Sequence, residues 1–105
     1  MTITPIELKT RLDKGDAIRV IDVREADEWA LTHLPRAQLI PLSQLQQLAT
    51  SQLDQDEAIV LYCHHGIRSA KAQVYLQSQG YKNVLNMAGG IDAWAVQVDP
   101  AMKRY

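Results

Sequence analysis

Short runs of β-branched and apolar residues alternate with segments of helical periodicity, and this alternation restricts the possible fold more than any other feature of the sequence. Strands are predicted over residues 17–23, 37–40, 58–62 and 83–86, with helical segments between them. Parallel strands joined in this way need right-handed crossovers, which place helices on both faces of the sheet. We therefore predict an α/β fold in three layers, a parallel β-sheet between two layers of helices.

Five segments carry helix signals. Thr4, Pro5 and Glu7 match the N-cap, first residue and capping-box partner of the first helix, and Gly15 suits its end. The other helices are predicted over residues 26–31, 41–53 with Ser43 as N-cap, 68–79 followed by Gly80, and 91–98. Their apolar faces, which we expect to pack inward, are marked by Trp29, Leu42, Leu45, Leu48, Leu53, Ile67, Ala70, Val74 and Trp94.

Length and composition predict one globular domain over residues 1–105. A hydrophobic content of 47% with 22% charged residues is typical of globular proteins. The formal net charge of −1 provides no overall field to attract nucleic acid or an anionic membrane surface. Because the longest apolar run, Ala58 to Cys63, is far shorter than the roughly 20 residues of a transmembrane helix, we expect no membrane association.

Cys63 is the only cysteine, which excludes an intramolecular disulfide, a CxxC redox pair and a multi-cysteine zinc site. Since the N-terminus also lacks the regions of a secretory signal, we expect a cytoplasmic protein, and we expect a monomer. A lone cysteine is either a small buried hydrophobic residue or a reactive thiol. His64 and His65 follow it, but two adjacent histidines and one cysteine rarely form a tetrahedral site, so no metal or cofactor is predicted.

The neighbours of Cys63 favour the reactive thiol. Ligands bind beyond the carboxyl ends of the strands in parallel α/β sheets, and Cys63 lies where the strand 58–62 is followed by a helix. Backbone N–H groups and the positive end of a helix dipole gather at such a junction and lower the pKa of a thiol. Gly66 allows the backbone to turn inward, and Arg68 adds a planar set of donors suited to sulfur or phosphorus oxyanions.

The spacing between Cys63 and Arg68 separates two kinds of substrate. The two residues form a C-x4-R loop, one residue shorter than the C-x5-R loop of cysteine phosphatases. A shorter loop encloses a smaller ring of N–H groups. We therefore expect it to fit a sulfur atom attached to Cys63 Sγ better than a tetrahedral phosphate.

Five motifs, in order along nearly the whole chain, resemble those of the single-domain rhodaneses, a family of sulfurtransferases. They are Asp22-Val23-Arg24-Glu25, His33-Leu34-Pro35 with Ala37, Cys63 with Gly66 and Arg68, Gly80-Tyr81 with Asn83-Val84, and Gly89-Gly90-Ile91 with Trp94. The chain departs from the family at three positions. Thr32 and Arg36 replace the glycines that usually flank the His-x-Pro turn, and His64 stands where many members have Arg or Lys.

This resemblance implies that Cys63 is the nucleophile of a sulfurtransferase. Its thiolate takes the outer sulfur of thiosulfate or of a persulfide donor, and a thiol or cyanide then removes that sulfur. Because the chain has no second cysteine, the acceptor comes from outside, as a thiol or a sulfur-carrier protein. The residues expected to bind the substrate are those of the rest of the loop, namely His64, His65, Gly66, Ile67, Arg68 and Ser69. For His64 and His65 a second interpretation stays open, because adjacent histidines in a loop are often only solvated.

Two other functions stay open from the sequence, a cysteine-based phosphatase or arsenate reductase-like enzyme, and a non-catalytic rhodanese-like binding module. The short loop disfavours the first, and the presence of both Cys63 and Arg68 disfavours the second. The C-terminal residues Trp94-Ala95, Asp99-Pro100 and Tyr105 resemble the end of rhodanese domains fused to ubiquitin-like-protein activating enzymes. That likeness points to a sulfur-relay partner.

Asp22 and Arg24 also have two possible roles, because the strand 17–23 delivers them to the same edge of the sheet as Cys63. They either anchor the active loop by ion pairing or form a local structural pair, and a local pair is the more common arrangement. His33 is expected to be structural, with its ring hydrogen-bonded to its own turn.

Overall fold

Five strands and five helices alternate along the chain in a computed structural model that describes residues 1–105. The strands are β1 (Thr2–Ile3), β2 (Ile18–Asp22), β3 (Ala37–Leu39), β4 (Ala58–Tyr62) and β5 (Val84–Met87). The helices are α1 (Pro5–Asp13), α2 (Ala26–Leu31), α3 (Leu42–Gln52), α4 (Ile67–Ser78) and α5 (Gly90–Gln97). None of them has the length and apolar composition that a membrane crossing requires.

All strand pairs are parallel, and the strands lie in the order β1-β5-β4-β2-β3. The predicted α/β class is confirmed, and so are four of the five strands within one or two residues of their ends. The remaining strand, β1, was not predicted because two residues are too few to show an alternating pattern. It is held at the edge of the sheet by backbone hydrogen bonds, including one of 2.9 Å from the N–H of Ala88 to the carbonyl of Ile3.

Each face of the sheet carries its own hydrophobic core, because alternate residues of a strand point to opposite faces. On one face, Ile59 and Leu61 of β4 pack with residues of α3 and α4. On the other face, Val60 and Tyr62 pack with residues of α1 and α5. The central strand β4 is therefore covered on both sides, and the residue after it, Cys63, starts from a fixed position.

The predicted start of α1 is confirmed. Thr4 Oγ1 accepts a hydrogen bond of 3.1 Å from the Glu7 N–H, and Glu7 Oε1 accepts one of 3.0 Å from the Thr4 N–H. The predicted N-cap of α3 is wrong, since Ser43 lies inside the helix and Pro41 is the N-cap residue. Pro41 makes no side-chain capping hydrogen bond, and the serine two residues after it gave a misleading signal.

The inward face of α4 is not the predicted one. Ile67 and Val74 are 72% and 66% exposed, whereas Ala72 and Leu76 are buried. Gln73 is also buried because its Nε2 donates to the carbonyls of Met1 and Val84 at 2.8 and 3.0 Å. The apolar periodicity predicted the wrong inward face of α4 because a hydrogen-bonded glutamine occupies a core position.

Trp94 is buried in the core as predicted, but Trp29 is only half-buried and the prediction of a core role for it is wrong. The Trp29 indole instead stacks on the His33 ring at 3.7 Å between centroids. His33 Nδ1 also lies 3.0 Å from the Trp29 carbonyl oxygen, which agrees with its predicted structural role. The two stacked rings thus link the C-terminal end of α2 to the turn that follows it.

Arg36 is the one residue other than glycine with a left-handed backbone, at φ 67°. It occupies one of the two positions where rhodaneses usually have glycine. Thr32, at the other position, is extended with φ −170°. Of the two residues that replace glycine in this turn, only Arg36 therefore has an unfavourable backbone conformation.

Candidate active site

Cys63 follows β4 and is enclosed by the loop that leads into α4, with 1% of its surface exposed. The Gly66 N–H donates to Cys63 Sγ at 3.1 Å, and the Ser69 N–H does so at 3.4 Å. Ser69 Oγ lies 3.3 Å from the same sulfur. Three polar groups of the loop and the first turn of α4 thus converge on one sulfur atom.

The convergence depends on the backbone at Gly66. This residue is the N-cap of α4 and has φ 108°, a conformation that side-chain-bearing residues rarely adopt. It reverses the chain, so that N–H groups at the start of α4, unpaired within the helix, face back toward Cys63. The positive end of the α4 dipole points the same way and favours a negative charge on the sulfur.

The start of α5 holds the other side of the loop. The N–H groups of Ile91 and Asp92 donate to the carbonyl oxygens of Cys63 and His64 at 2.9 and 3.2 Å. The approach is close enough that a Cβ on Gly90 would collide with both carbonyl oxygens. The loop carbonyls are consequently turned toward α5, which leaves the loop N–H groups free to face the sulfur.

Two opposing effects set the protonation of Cys63. Burial raises the pKa of the thiol, whereas hydrogen bonds from Ser69, Gly66 and the Arg68 backbone lower it, and the net result is a pKa below that of an unperturbed cysteine. A lowered thiol pKa increases the thiolate fraction at neutral pH, and the thiolate is the nucleophilic form. The geometry therefore supports a reactive rather than an inert cysteine.

The guanidinium of Arg68 does not point at the sulfur. It forms an ion pair with Glu28 of α2, with contacts of 2.6 and 2.9 Å to the two carboxylate oxygens. The hydroxyl of Tyr105 donates to the same carboxylate at 2.7 Å. The hydrogen bond from Arg68 is the largest influence on the carboxyl group and lowers the pKa of Glu28 to about 2.

The rings of His64 and His65 lie against each other, with their centroids 3.9 Å apart. The His64 ring stacks on Tyr105 at 3.9 Å and 7°, and its Nε2 is buried without a hydrogen-bond partner. Burial and the neighbouring His65 lower the pKa of His64, so this ring is mostly neutral at pH 7. Since Glu28 balances Arg68, the backbone N–H groups are the main electropositive groups that face the sulfur.

Of the predicted site residues, the structure brings Gly66 and Ser69 into contact with Cys63, together with the backbone of Arg68. The Ile67 side chain is exposed to solvent, and Ile67 is the first residue of α4. His64 and His65 flank the loop with no hydrogen bond to the sulfur.

Asp22 and Arg24 form the local pair. Arg24 Nη2 lies 2.7 Å from Asp22 Oδ2, and both side chains are fully buried. Arg24 also donates to the carbonyl of Thr32 at 2.6 Å and to the hydroxyl of Tyr105 at 2.8 Å. The pair thus supports the turn after α2 and reaches the loop only through Tyr105.

Several residues of the site were not singled out by their sequence pattern. Glu28 carried no signal beyond a polar helix position. Asn86, whose side chain contacts Ser69 Oγ and the Gly66 carbonyl, lies at the end of a predicted strand. Tyr105 belongs to the C-terminal residues that resemble the end of the fused rhodanese domains. Its contacts with Glu28 and His64, however, depend on how the C-terminus folds back to the loop. No group of three or more His, Cys, Asp or Glu side chains is arranged to hold a metal ion.

A family model described as the rhodanese-like domain matches residues 4–97, nearly the whole chain. The chain belongs to the rhodanese-like family. A rhodanese-like domain protein from Staphylococcus aureus shares the fold with a TM-score of 0.84 and 32% identity, over 100% of this chain and 99% of that one. The resemblance inferred from the five motifs is thereby confirmed.

Two curated relatives show the range of proteins in which this rhodanese-like sequence occurs. "Probable adenylyltransferase/sulfurtransferase MoeZ" of Mycobacterium tuberculosis is 43% identical over 105 residues, which is 99% of this chain and 27% of that protein. A protein named "Sulfurtransferase" from Allochromatium vinosum is 39% identical over 88 residues, 84% of this chain and 81% of that protein. The chain thus spans about a quarter of the first relative and most of the second.

Proposed function

We propose that this rhodanese-like chain is a sulfurtransferase in which Cys63 carries the sulfur as a persulfide, within one domain formed by residues 1–105. The observation that carries the proposal is the convergence of the Gly66 and Ser69 N–H groups on Cys63 Sγ, at 3.1 and 3.4 Å. Such donors stabilise a thiolate before the reaction and the terminal sulfur anion of a persulfide after it. Relatives named sulfurtransferase support the same reaction class.

In the first step, the Cys63 thiolate attacks the outer sulfur of the donor. A new S–S bond forms at Cys63 Sγ while the S–S bond of the donor breaks, and sulfite or a thiolate leaves with the electron pair. In the second step, an acceptor thiolate or cyanide attacks the outer sulfur of the Cys63 persulfide. The Cys63 thiolate is released, and the product is a new persulfide or thiocyanate.

The donor is thiosulfate or another persulfide, and the acceptor is an external thiol, including one on a sulfur-carrier protein. An external acceptor follows from Cys63 being the only cysteine. A macromolecular acceptor is supported by the likeness to MoeZ, whose printed name joins an adenylyltransferase to a sulfurtransferase. We place the reaction in the cytoplasm and propose a monomer, with no metal, cofactor, nucleic acid or membrane involved.

An assay of sulfur transfer tests this proposal. The protein is incubated with thiosulfate or glutathione persulfide, cyanide is added, and thiocyanate is measured. We expect turnover by the wild type and none by Cys63→Ser. Hydrolysis of an aryl phosphate without thiocyanate formation would overturn the proposal in favour of a phosphatase, and the absence of both activities from a folded protein would favour a binding module.

A further inference from the structure

One side chain from β5 holds two of the loop residues that face the Cys63 sulfur. Asn86 is buried, with 7% of its surface exposed. Its Nδ2 donates to the Gly66 carbonyl at 3.1 Å, and its Oδ1 accepts a hydrogen bond of 2.6 Å from Ser69 Oγ. Gly66 and Ser69 are the residues whose N–H groups contact Cys63 Sγ.

The direction of these hydrogen bonds follows from chemistry. The Gly66 carbonyl oxygen can only accept, so the nitrogen of the Asn86 amide must face it. The amide oxygen therefore faces Ser69 and takes the single proton of that hydroxyl. With its proton committed, Ser69 Oγ can only accept from the Cys63 thiol, which lies 3.3 Å away.

We infer that Asn86 is a positioning residue that turns the Ser69 hydroxyl away from Cys63 Sγ while the thiol is protonated, and that fixes the Gly66 N–H on the sulfur. When the thiol loses its proton to a base in solution, the hydroxyl has one proton and two acceptors, the thiolate and Asn86 Oδ1. It donates to the thiolate only by leaving Asn86. Asn86 thus limits how far the hydroxyl stabilises the thiolate, while the Gly66 N–H stabilises it throughout.

This inference rests on the proposed function only in that it concerns the same thiol. The charged and titratable groups around the loop lie outside the Asn86–Ser69–Cys63 chain of hydrogen bonds; they are Arg68 with Glu28, Tyr105, His64, His65, and Asp92 with Arg104. None of them contacts Asn86 or the Ser69 hydroxyl. A change at Asn86 therefore acts on Cys63 through Ser69 and Gly66 rather than through a neighbouring charge.

A double-mutant cycle with alkylation as readout tests the inference. The rate of Cys63 alkylation by iodoacetamide is measured against pH for the wild type, Ser69→Ala, Asn86→Leu and the double variant. Loosening of Gly66 by Asn86→Leu is present in both Asn86→Leu and the double variant, so it cancels when these two are compared. We expect Ser69→Ala to raise the pH midpoint by about one unit more in the Asn86→Leu background than in the wild type, because in that background the hydroxyl donates to the thiolate without giving up a hydrogen bond to Asn86.

Gln73→Leu provides a matched control, since it removes another buried amide that contacts the Met1 and Val84 carbonyls but not Ser69. In the Gln73→Leu background, the effect of Ser69→Ala should equal that in the wild type. If Asn86→Leu fails to fold, Asn86→Ala takes its place, because the cycle needs only the loss of the amide. An equal shift in the Asn86-substituted and wild-type backgrounds would overturn the inference, and alkylation leaves this outcome separate from any failure of sulfur transfer.

Discussion

The Arg68 guanidinium binds both carboxylate oxygens of Glu28, at 2.6 and 2.9 Å, and this ion pair joins the end of the active loop to α2. The cation that the sequence places in the loop is therefore balanced by an anion from a different element. The backbone N–H groups of Gly66 and Ser69 remain the donors that face Cys63 Sγ. Two predictions depend on this ion pair.

The first prediction from the ion pair of Arg68 and Glu28 concerns the stability of the protein in acid. In the folded protein the pKa of Glu28 is lowered to about 2 from its ordinary value of 4.5. A lowered carboxyl pKa means that the unfolded chain binds more protons, so the stability due to Glu28 is complete above about pH 4.5 and is lost as the pH falls through about 2. We expect the free energy of unfolding to fall less steeply over this range in Glu28→Gln than in the wild type, as measured by urea denaturation at each pH. Equal slopes would contradict the assignment.

The second prediction from this ion pair concerns the effect of the Arg68 charge on the binding of an anionic substrate at the loop. Glu28→Gln leaves the Arg68 charge unbalanced, so the KM for the thiosulfate dianion should fall about two- to fivefold at low ionic strength. The gain should shrink as salt is added, because exposed charges are screened.

Glu57→Gln is the matched control for this charge effect. Glu57 pairs with Arg19, and its substitution removes the same charge at the opposite end of the sheet. We expect no change in KM for this variant. A KM for thiosulfate that stays constant or rises in Glu28→Gln would show that Arg68 does not influence the substrate.

A further prediction concerns the support of the loop by α5. Gly90→Ala combines a left-handed backbone at φ 63° with a collision against the carbonyl oxygens of Cys63 and His64. Gly15→Ala has a left-handed backbone at φ 85° and open space around the added Cβ. We expect Gly90→Ala to lower the free energy of unfolding by about 1–3 kcal/mol more than Gly15→Ala. Equal losses in denaturant titrations would mean that the loop moves away without cost.

Arg36 provides a prediction in the opposite direction. Its left-handed backbone, at φ 67°, is one that glycine adopts without strain. Arg36→Gly should therefore raise the free energy of unfolding by about 0.5–1 kcal/mol. Arg36→Ala, which removes the side chain and keeps the strain, should give no such gain. A glycine variant no more stable than the alanine variant would argue against strain at this turn.

Local signals in the sequence were sufficient for most of the fold. The strands β2 and β4 are rich in β-branched residues, and the capping box of Thr4 and Glu7 and the glycine after α4 marked helix ends correctly. The error at α4 arose because a long-range contact decided the outcome. Gln73 takes a core position because distant carbonyls accept its hydrogen bonds, and this displaced the predicted inward face of α4.

The candidate site divides in the same way. Cys63, Gly66 and Ser69 lie within one short stretch, so their convergence could be anticipated from the strand, loop and helix order. The groups that control them come from elsewhere, Glu28 from α2 and Asn86 from β5. Nothing local to those two residues indicates the loop, since only the order of the strands and the packing of α2 bring them to it.

The proposed sulfurtransferase activity requires that Cys63 carries the transferred sulfur. Mass spectrometry of the intact protein after incubation with thiosulfate or a persulfide donor tests this claim directly. We predict that the wild type gains the mass of one sulfur atom, that cyanide removes it, and that Cys63→Ser gains none. A wild-type protein that takes up no sulfur from either donor, or a Cys63→Ser variant that takes up as much, would contradict it.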